Sequence, residues 1–211
     1  MKNRLGYKRS DFYTKLIDIS VPEDIILSGL DKDTAYDIRR GKKDGIHTNI
    51  HTDLNQFVEF YNGFAQTKGL NQINLAALHN GNNLLVTKAE IDSEVLVMHS
   101  YILDPSAKRV RLLHSASLYR NAEMGASKRS LVGRANRLLH FEDMILFKSQ
   151  GYSIYDMGGY AFKTADQSLQ RINLFKDGFG GRLVLESDYW PLTFLFVIRM
   201  RSMLSRLINR N

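Results

Sequence analysis

The chain has 211 residues, 44% of them hydrophobic and 24% charged, and it contains no cysteine. This composition excludes a disordered tail protein, and the missing thiols exclude a disulfide framework, a thiolate metal site and a cysteine nucleophile. Lys and Arg exceed Asp and Glu by seven, with four of the cations in the first ten residues and four in the last 23, where there are no acids; residues 11 to 188 carry 21 positive and 22 negative charges. A dedicated nucleic-acid domain more often spreads a basic stripe over its fold. Basic ends on a neutral body suit an anionic membrane face or a polyanionic ligand held at a rim, although they also serve plain solubility. The length suggests one domain, residues 1–190, followed by a basic helix over 191–211. Met1 to Tyr13 lacks the apolar core of a secretion signal. The longest apolar run, Leu192 to Ile198, is far short of the ~20 residues a spanning helix requires. A reducing, cytoplasmic setting is therefore expected, with peripheral contact at the inner membrane face as an option.

Val21 to Arg40 reads as a helix with Pro22 at an early position, running into the basic turn Gly41-Lys42-Lys43-Asp44-Gly45. A short strand is expected over Ile46 to His51. Asp53 is then an N-cap with Gln56 completing a capping box, and Leu54, Phe57, Val58, Tyr61, Phe64 and Ala65 share one helical face, read as core, before Gly69 stops the helix. Leu84 to Ile91 and Val95 to Leu103 flank the turn Asp92-Ser93-Glu94 as a hairpin. After the turn Asp104-Pro105-Ser106-Ala107, Arg109 to Leu118 alternates as a strand. A polar loop, Tyr119 to Val132, precedes a helix that Gly133 opens and Gly151 ends. A strand over Tyr152 to Met157 ends in Gly158-Gly159. A helix from Asp166 to Lys176, a strand from Arg182 to Glu186 and a helix beyond Pro191 complete the chain. Helices, an antiparallel meander and then alternating helices and strands predict an α+β or mixed α/β fold.

The order strand, loop, helix, strand over residues 109–157 is where a ligand would bind, because a glycine at a strand-to-helix turn lets backbone N–H groups approach phosphate oxygens. Ser130-Leu131-Val132-Gly133-Arg134-Ala135 resembles, at Gly133 and Ala135, the Gln/Arg-x-x-Gly-x-Gly/Ala motif that grips coenzyme A pyrophosphate in the GCN5-related N-acetyltransferase (GNAT) superfamily. Ser130 departs from it, and an ordinary capped helix start is the alternative. Three further motifs follow in order: Asn136-Arg137-Leu138-Leu139-His140-Phe141-Glu142-Asp143-Met144-Ile145, then Tyr155-Asp156-Met157-Gly158-Gly159, then Leu174-Phe175-Lys176-Asp177-Gly178-Phe179-Gly180-Gly181. Together they resemble the FemAB-like branch of that superfamily over roughly residues 20 to 188. Bridge-forming members of the branch carry two such domains in tandem. This chain has room for one, which favours the single-domain relatives associated with cell-surface polysaccharide synthesis.

The resemblance implies a mostly antiparallel sheet splayed between its fourth and fifth strands, and N-acyl transfer from acyl-CoA, acetyl-CoA in the first instance. The acceptor would be an amino sugar on a lipid or nucleotide carrier. Aminoacyl-tRNA as donor, or a non-catalytic membrane-associated relative, are the alternatives. Acyl transfer to an amine needs an N–H aimed at the developing oxyanion, a base, and near-attack positioning. By resemblance the oxyanion donor lies near Ser115, Ala116 and Ser117. Ser130, Gly133, Arg134 and Ala135 would hold the cofactor. His99, mid-strand in an apolar run, is the first candidate base and His114 the second, each with a core role as alternative. Asp156 would orient the amine, act as base, or cap the glycine turn. Lys176 would contact donor phosphate or simply favour a helix C-terminus; Tyr101 and Asn136 carry over as substrate-binding positions. No metal site is expected: His47 and His51 are four apart in a strand, hence ~13 Å apart along the chain. Phe196, Met200, Met203, Leu204, Leu207 and Ile208 form one face of the last helix, flanked by Arg199, Arg206 and Arg210. That pattern fits an interfacial helix on an anionic membrane, or one packed on the sheet.

Overall fold

The computed structural model describes residues 4–78, 83–118 and 124–208. Lys2, Arg210 and the start of the expected polar loop, residues 119–123, lie outside the described residues. In chain order the elements are β1 (Tyr7–Asp18), α1 (Glu23–Ser28), α2 (Lys32–Lys43), β2 (His47–His51), α3 (Leu54–Lys68), α4 (Leu75–Leu78), β3 (Leu84–Ile91) and β4 (Glu94–Asp104). They continue with β5 (Arg109–Ser117), α5 (Ala126–Ser149), β6 (Ile154–Tyr160), α6 (Gln167–Asp177), β7 (Arg182–Pro191) and α7 (Leu192–Ile208). The strands form one sheet in the order β2-β3-β4-β5-β6-β1-β7. β5 and β6 are parallel, and the other neighbours are antiparallel.

Local chemistry explains most boundaries. Asp53 accepts the N–H groups of Asn55 and Gln56 at 2.9 and 3.2 Å, and Gly69 ends α3 at φ 63°. Asp92 and Ser93 both have positive φ, the conformation in which a two-residue turn matches the twist of β3 and β4. Asp166 caps α6 through Ser168 and Leu169. One face of the sheet packs on α5, where Leu138, Leu139, Met144 and Phe147 meet Val97, Tyr101, Val110, Tyr155 and Met157, all fully buried. The other face carries a smaller cluster of Phe57, Leu78, Val86 and Met98 under α3 and α4. The aromatic face of α3 thus enters the core at Phe57 and Ala65.

The structure departs from the sequence expectations at four places. Residues 7–18, for which no element is predicted, form β1, the strand between β6 and β7. The helix expected over Val21 to Arg40 is two helices, because Gly29 closes α1 and Asp31 opens α2 by accepting the Thr34 N–H at 2.7 Å. α5 begins at Ala126, with Gly125 as its N-cap, so Gly133 lies inside the helix and opens nothing. β6 continues past the glycines to Tyr160, and β7 extends to Pro191. Lys148, near the end of α5, donates to the carbonyls of Ile19, Ser20 and Val21 and so pins the crossing from β1 to α1.

Candidate functional site

β5 and β6 pair at three positions, Arg109↔Ile154, Val110↔Tyr155 and Arg111↔Asp156, and then part. Two features mark the place where they part. The register of β5 against β4 shifts at Leu113, where Ser100 faces His114 and Tyr101 faces Leu112, so the bulge bends β5 away. Gly158 sits at φ 73° with its Cα against the Leu112 carbonyl; a Cβ there would approach that oxygen to 3.2 Å. The shift also reverses which side chains face α5. Ser115 and Ser117 point into the gap, while His114 turns to the α3 side.

The gap is a cavity of about 490 Å³. β5 contributes Leu112, Ser115 and Ser117; α5 contributes Val132, Gly133, Asn136, Arg137 and His140; α6 contributes Ser168, Arg171, Ile172, Phe175 and Lys176; Met157, Phe64 and Lys68 complete the wall. Four of these side chains are cationic and none is a carboxylate, a wall suited to an anion. Lys176 donates to the Gly159 carbonyl at 2.6 Å, and burial pushes its ammonium down to about 8, opposed by the nearby Asp156 charge.

Behind the cavity lies a buried polar network. His99 Nδ1 is 2.9 Å from Asp143 Oδ2, and its Nε2 is 2.9 Å from the Asn136 side-chain oxygen. Tyr101 donates to Asp143 at 2.5 Å and lies 2.7 Å from the Tyr155 hydroxyl, which in turn lies 2.7 Å from His140 Nδ1. The His99 and His140 rings are 4.2 Å apart. Burial raises both tyrosine hydroxyls well above their ordinary range, so they remain protonated donors. Burial, reinforced by His99, Lys176 and Arg137, holds His140 well below the usual imidazole value.

The expected site residues divide accordingly. Ser115, Ser117, Gly133, Asn136 and Lys176 line the cavity. His99 and Tyr101 lie in the buried network behind the cavity and are not among its lining residues. Ala116 is buried away from it. His114 bonds Ser100 Oγ at 2.9 Å and packs edge-on to Tyr61 at 4.7 Å, on the opposite face. Ser130 bonds the Ala126 carbonyl within the helix, Arg134 pairs with Asp44 at 2.6 Å, and Ala135 is core, so no phosphate-gripping turn forms from this segment. Asp156 is wholly buried on the far face, where Thr14, the Gly158 N–H and Arg109 bond to it. Its two oxygens are already engaged, as a clasp is. His140, Arg137, Arg171 and Lys68 went unrecognised in the sequence. For His140 and Arg137 a signal existed: polar residues at the spacing of Asn136 and Asp143 on a helix whose stripe is otherwise apolar.

No protein-family model matches the sequence, and no curated protein matches it. Solved structures do match its fold. FemX superposes with a TM-score of 0.68 at 13% identity, covering 93% of this chain and 68% of FemX. The C-terminal domain of a putative lysylphosphatidylglycerol synthetase from Agrobacterium fabrum gives 0.58 at 12% identity, covering 87% and 61%. L-PGS from Bacillus licheniformis gives 0.53 at 12%, covering 98% and 68%. The chain thus spans roughly two thirds of the length of these three. The likeness is one of fold: the chain folds as FemX does over 93% of its length, around a seven-stranded, mostly antiparallel sheet.

Proposed function

We propose that the protein is an acyl- or aminoacyltransferase that receives an activated acyl group from a polyanionic carrier in the β5–β6 cavity and passes it to an amino group. The observation that carries this reading is the cavity itself: an opened strand edge beside Ser115 and Ser117, ringed by Lys68, Arg137, Arg171 and Lys176. Beyond Arg111 the β6-facing edge of β5 pairs with no strand among the described residues, so N–H groups on that edge would be offered to an oxyanion. The cations hold the carrier's phosphates and set the acyl carbon against that edge.

Two carriers share this chemistry. Acyl-CoA, with acetyl-CoA the simplest, would insert its acyl end and leave its nucleotide at the cationic mouth. Aminoacyl-tRNA is favoured by one specific observation: α5 starts at Ala126, so the glycine turn that would grip a pyrophosphate at Gly133 is absent and the cations lie on side chains around the cavity mouth. The likeness to a putative lysylphosphatidylglycerol synthetase domain supports an aminoacyl group as the one moved. For the acceptor we place an amino sugar on a lipid or nucleotide carrier, as in cell-envelope polysaccharide synthesis. Pairing of β1 with β7 supports a lipid-linked form, because it joins the two basic ends: the Leu192 N–H donates to the Gly6 carbonyl and Arg4 lies over the Tyr189 ring. Beside them α7 exposes Leu192, Phe194, Phe196, Val197 and Met200, a surface suited to an anionic lipid face. No helix among the described residues is long and apolar enough to cross a membrane.

Native mass spectrometry and thermal-shift titration with acetyl-CoA and with charged tRNA test the reading. A bound donor at 100 times its Kd stabilises the fold by ~2.7 kcal/mol. Binding of neither overturns the proposal and leaves a non-catalytic relative.

A further inference from the structure

Among the described residues the cavity is lined by one imidazole, His140, and acyl transfer to an amine needs a proton acceptor there. Resting on the transferase reading above, we propose that His140 is the base that takes the acceptor's proton, and that Tyr155, Tyr101 and Asp143 behind it hold that proton until the carrier leaves.

The hydrogen-bond directions follow from donor counting. A carboxylate only accepts, so Tyr101, 2.5 Å from Asp143 Oδ2, spends its hydrogen there. The Tyr155 hydroxyl, 2.7 Å away, must then donate to Tyr101. With that hydrogen spent, the 2.7 Å contact between Tyr155 and His140 leaves one arrangement, in which His140 Nδ1–H donates. The His140 hydrogen therefore sits on Nδ1, and Nε2 keeps its lone pair on a ring that lines the cavity. His99 steadies the far end through its Nδ1 contact with Asp143, and its Nε2 is held by Asn136, itself a cavity residue. Asn136, His140 and Asp143 are four and three residues apart, so one stripe of α5 presents all of them to β4 and β6.

When the amine attacks, its nitrogen bonds the acyl carbon and an N–H proton passes to His140 Nε2. The Nδ1 proton moves to the Tyr155 oxygen, that of Tyr155 to Tyr101, and that of Tyr101 to Asp143 Oδ2. Each group loses one bond to hydrogen and gains one, except that Asp143 ends neutral. His140 ends as the neutral Nε2–H tautomer, so no imidazolium forms beside Lys176 and Arg137. Collapse of the intermediate breaks the bond to the carrier, and the proton returns along the same chain to the leaving sulfur or oxygen. Burial of His140 among positive neighbours, which disfavours its charged form, is consistent with such a neutral hand-off.

Two measurements on the full chain test this. In long-range ¹H–¹⁵N spectra at pH 7, His140 should be a neutral Nδ1–H tautomer, and Tyr155→Phe should destroy that preference. An Nε2–H tautomer in the wild type, or an unchanged one in Tyr155→Phe, overturns the chain. With the donor found by titration, His140→Gln should lower kcat by ~10²–10⁴-fold while donor Kd stays within about threefold. Tyr155→Phe should lower kcat about tenfold and turn a bowed proton inventory into a straight line. Losses below about threefold in both variants overturn the role of His140. Absence of donor binding overturns the transferase reading instead and leaves the tautomer result standing, so the two failures are distinct.

Discussion

Replacing Asp156 by Asn separates a structural clasp from a catalytic carboxylate. The side chain is wholly buried; its Oδ1 accepts from the Thr14 hydroxyl and from the Gly158 N–H at 2.9 Å, and its Oδ2 from Arg109 Nε at 3.1 Å. Arg111 lies 3.5 Å from the same Oδ2. Asparagine keeps an acceptor for Thr14 and Gly158 but turns an amide against the Arg109 guanidinium, donor facing donor. Breaking a fully buried pair costs ~3–5 kcal/mol. Arg109 is 21% exposed and retains Glu186 at 2.7 Å, so the loss here should be nearer ~2–4 kcal/mol. At ~2–4 °C per kcal/mol for a chain of this size, Tm should fall by roughly 4–16 °C in differential scanning calorimetry. Donor affinity should hold below the transition. An Asp156→Asn protein that melts within 2 °C of wild type yet has lost turnover would refute the clasp and return Asp156 to the chemistry.

Lys176 supplies a pH dependence. Its folded value of about 8 lies below the ordinary 10.5, so between those values the unfolded chain binds more protons than the fold, and stability rises with pH across that window. Denaturant unfolding at pH 7.5 and 10 should show that rise in wild type and not in Lys176→Met; equal behaviour refutes it. Donor binding should weaken over the same interval as the cation is lost. Arg171→Glu, on an exposed part of the cavity wall, should weaken donor binding about tenfold, ~1.4 kcal/mol, with Tm unchanged; isothermal titration measures it, and unaltered affinity removes Arg171 from the site. Deleting Arg199 to Asn211 should leave the protein soluble and release it from anionic liposomes, whereas equal sedimentation of both forms would speak against a lipid face.

Elements with local punctuation were legible in the sequence: α3 between Asp53 and Gly69, the β3–β4 hairpin at Asp92-Ser93, and α6 behind Asp166. Each carries its own cap or turn chemistry within a few residues. β1 has none. Tyr7 to Phe12 mixes charged and aromatic residues without alternation, and its strand state comes from partners more than a hundred residues away. Gly133 misled for the opposite reason. It looks like punctuation, yet a helix tolerates an interior glycine at a cost of ~1 kcal/mol when flanked by residues that pack as Val132 and Ala135 do. Of the candidate site, the splay was legible through the resemblance, and Ser115 and Ser117 lie along it. The base was not: His99 and His140 are equivalent as letters, and the two-sided engagement of His99 appears only once β4 lies against α5.

The placement of β1 between β6 and β7 has a consequence for how the chain comes into being. During synthesis the first strand emerges early but has nowhere to dock, since both neighbours are encoded roughly 140 residues or more downstream. At ~5–20 residues per second, Tyr7 to Asp18 waits on the order of ten to thirty seconds with both edges bare. The charged side chains of Lys8, Arg9 and Asp11 in its first half then act as a guard against premature pairing with other nascent chains.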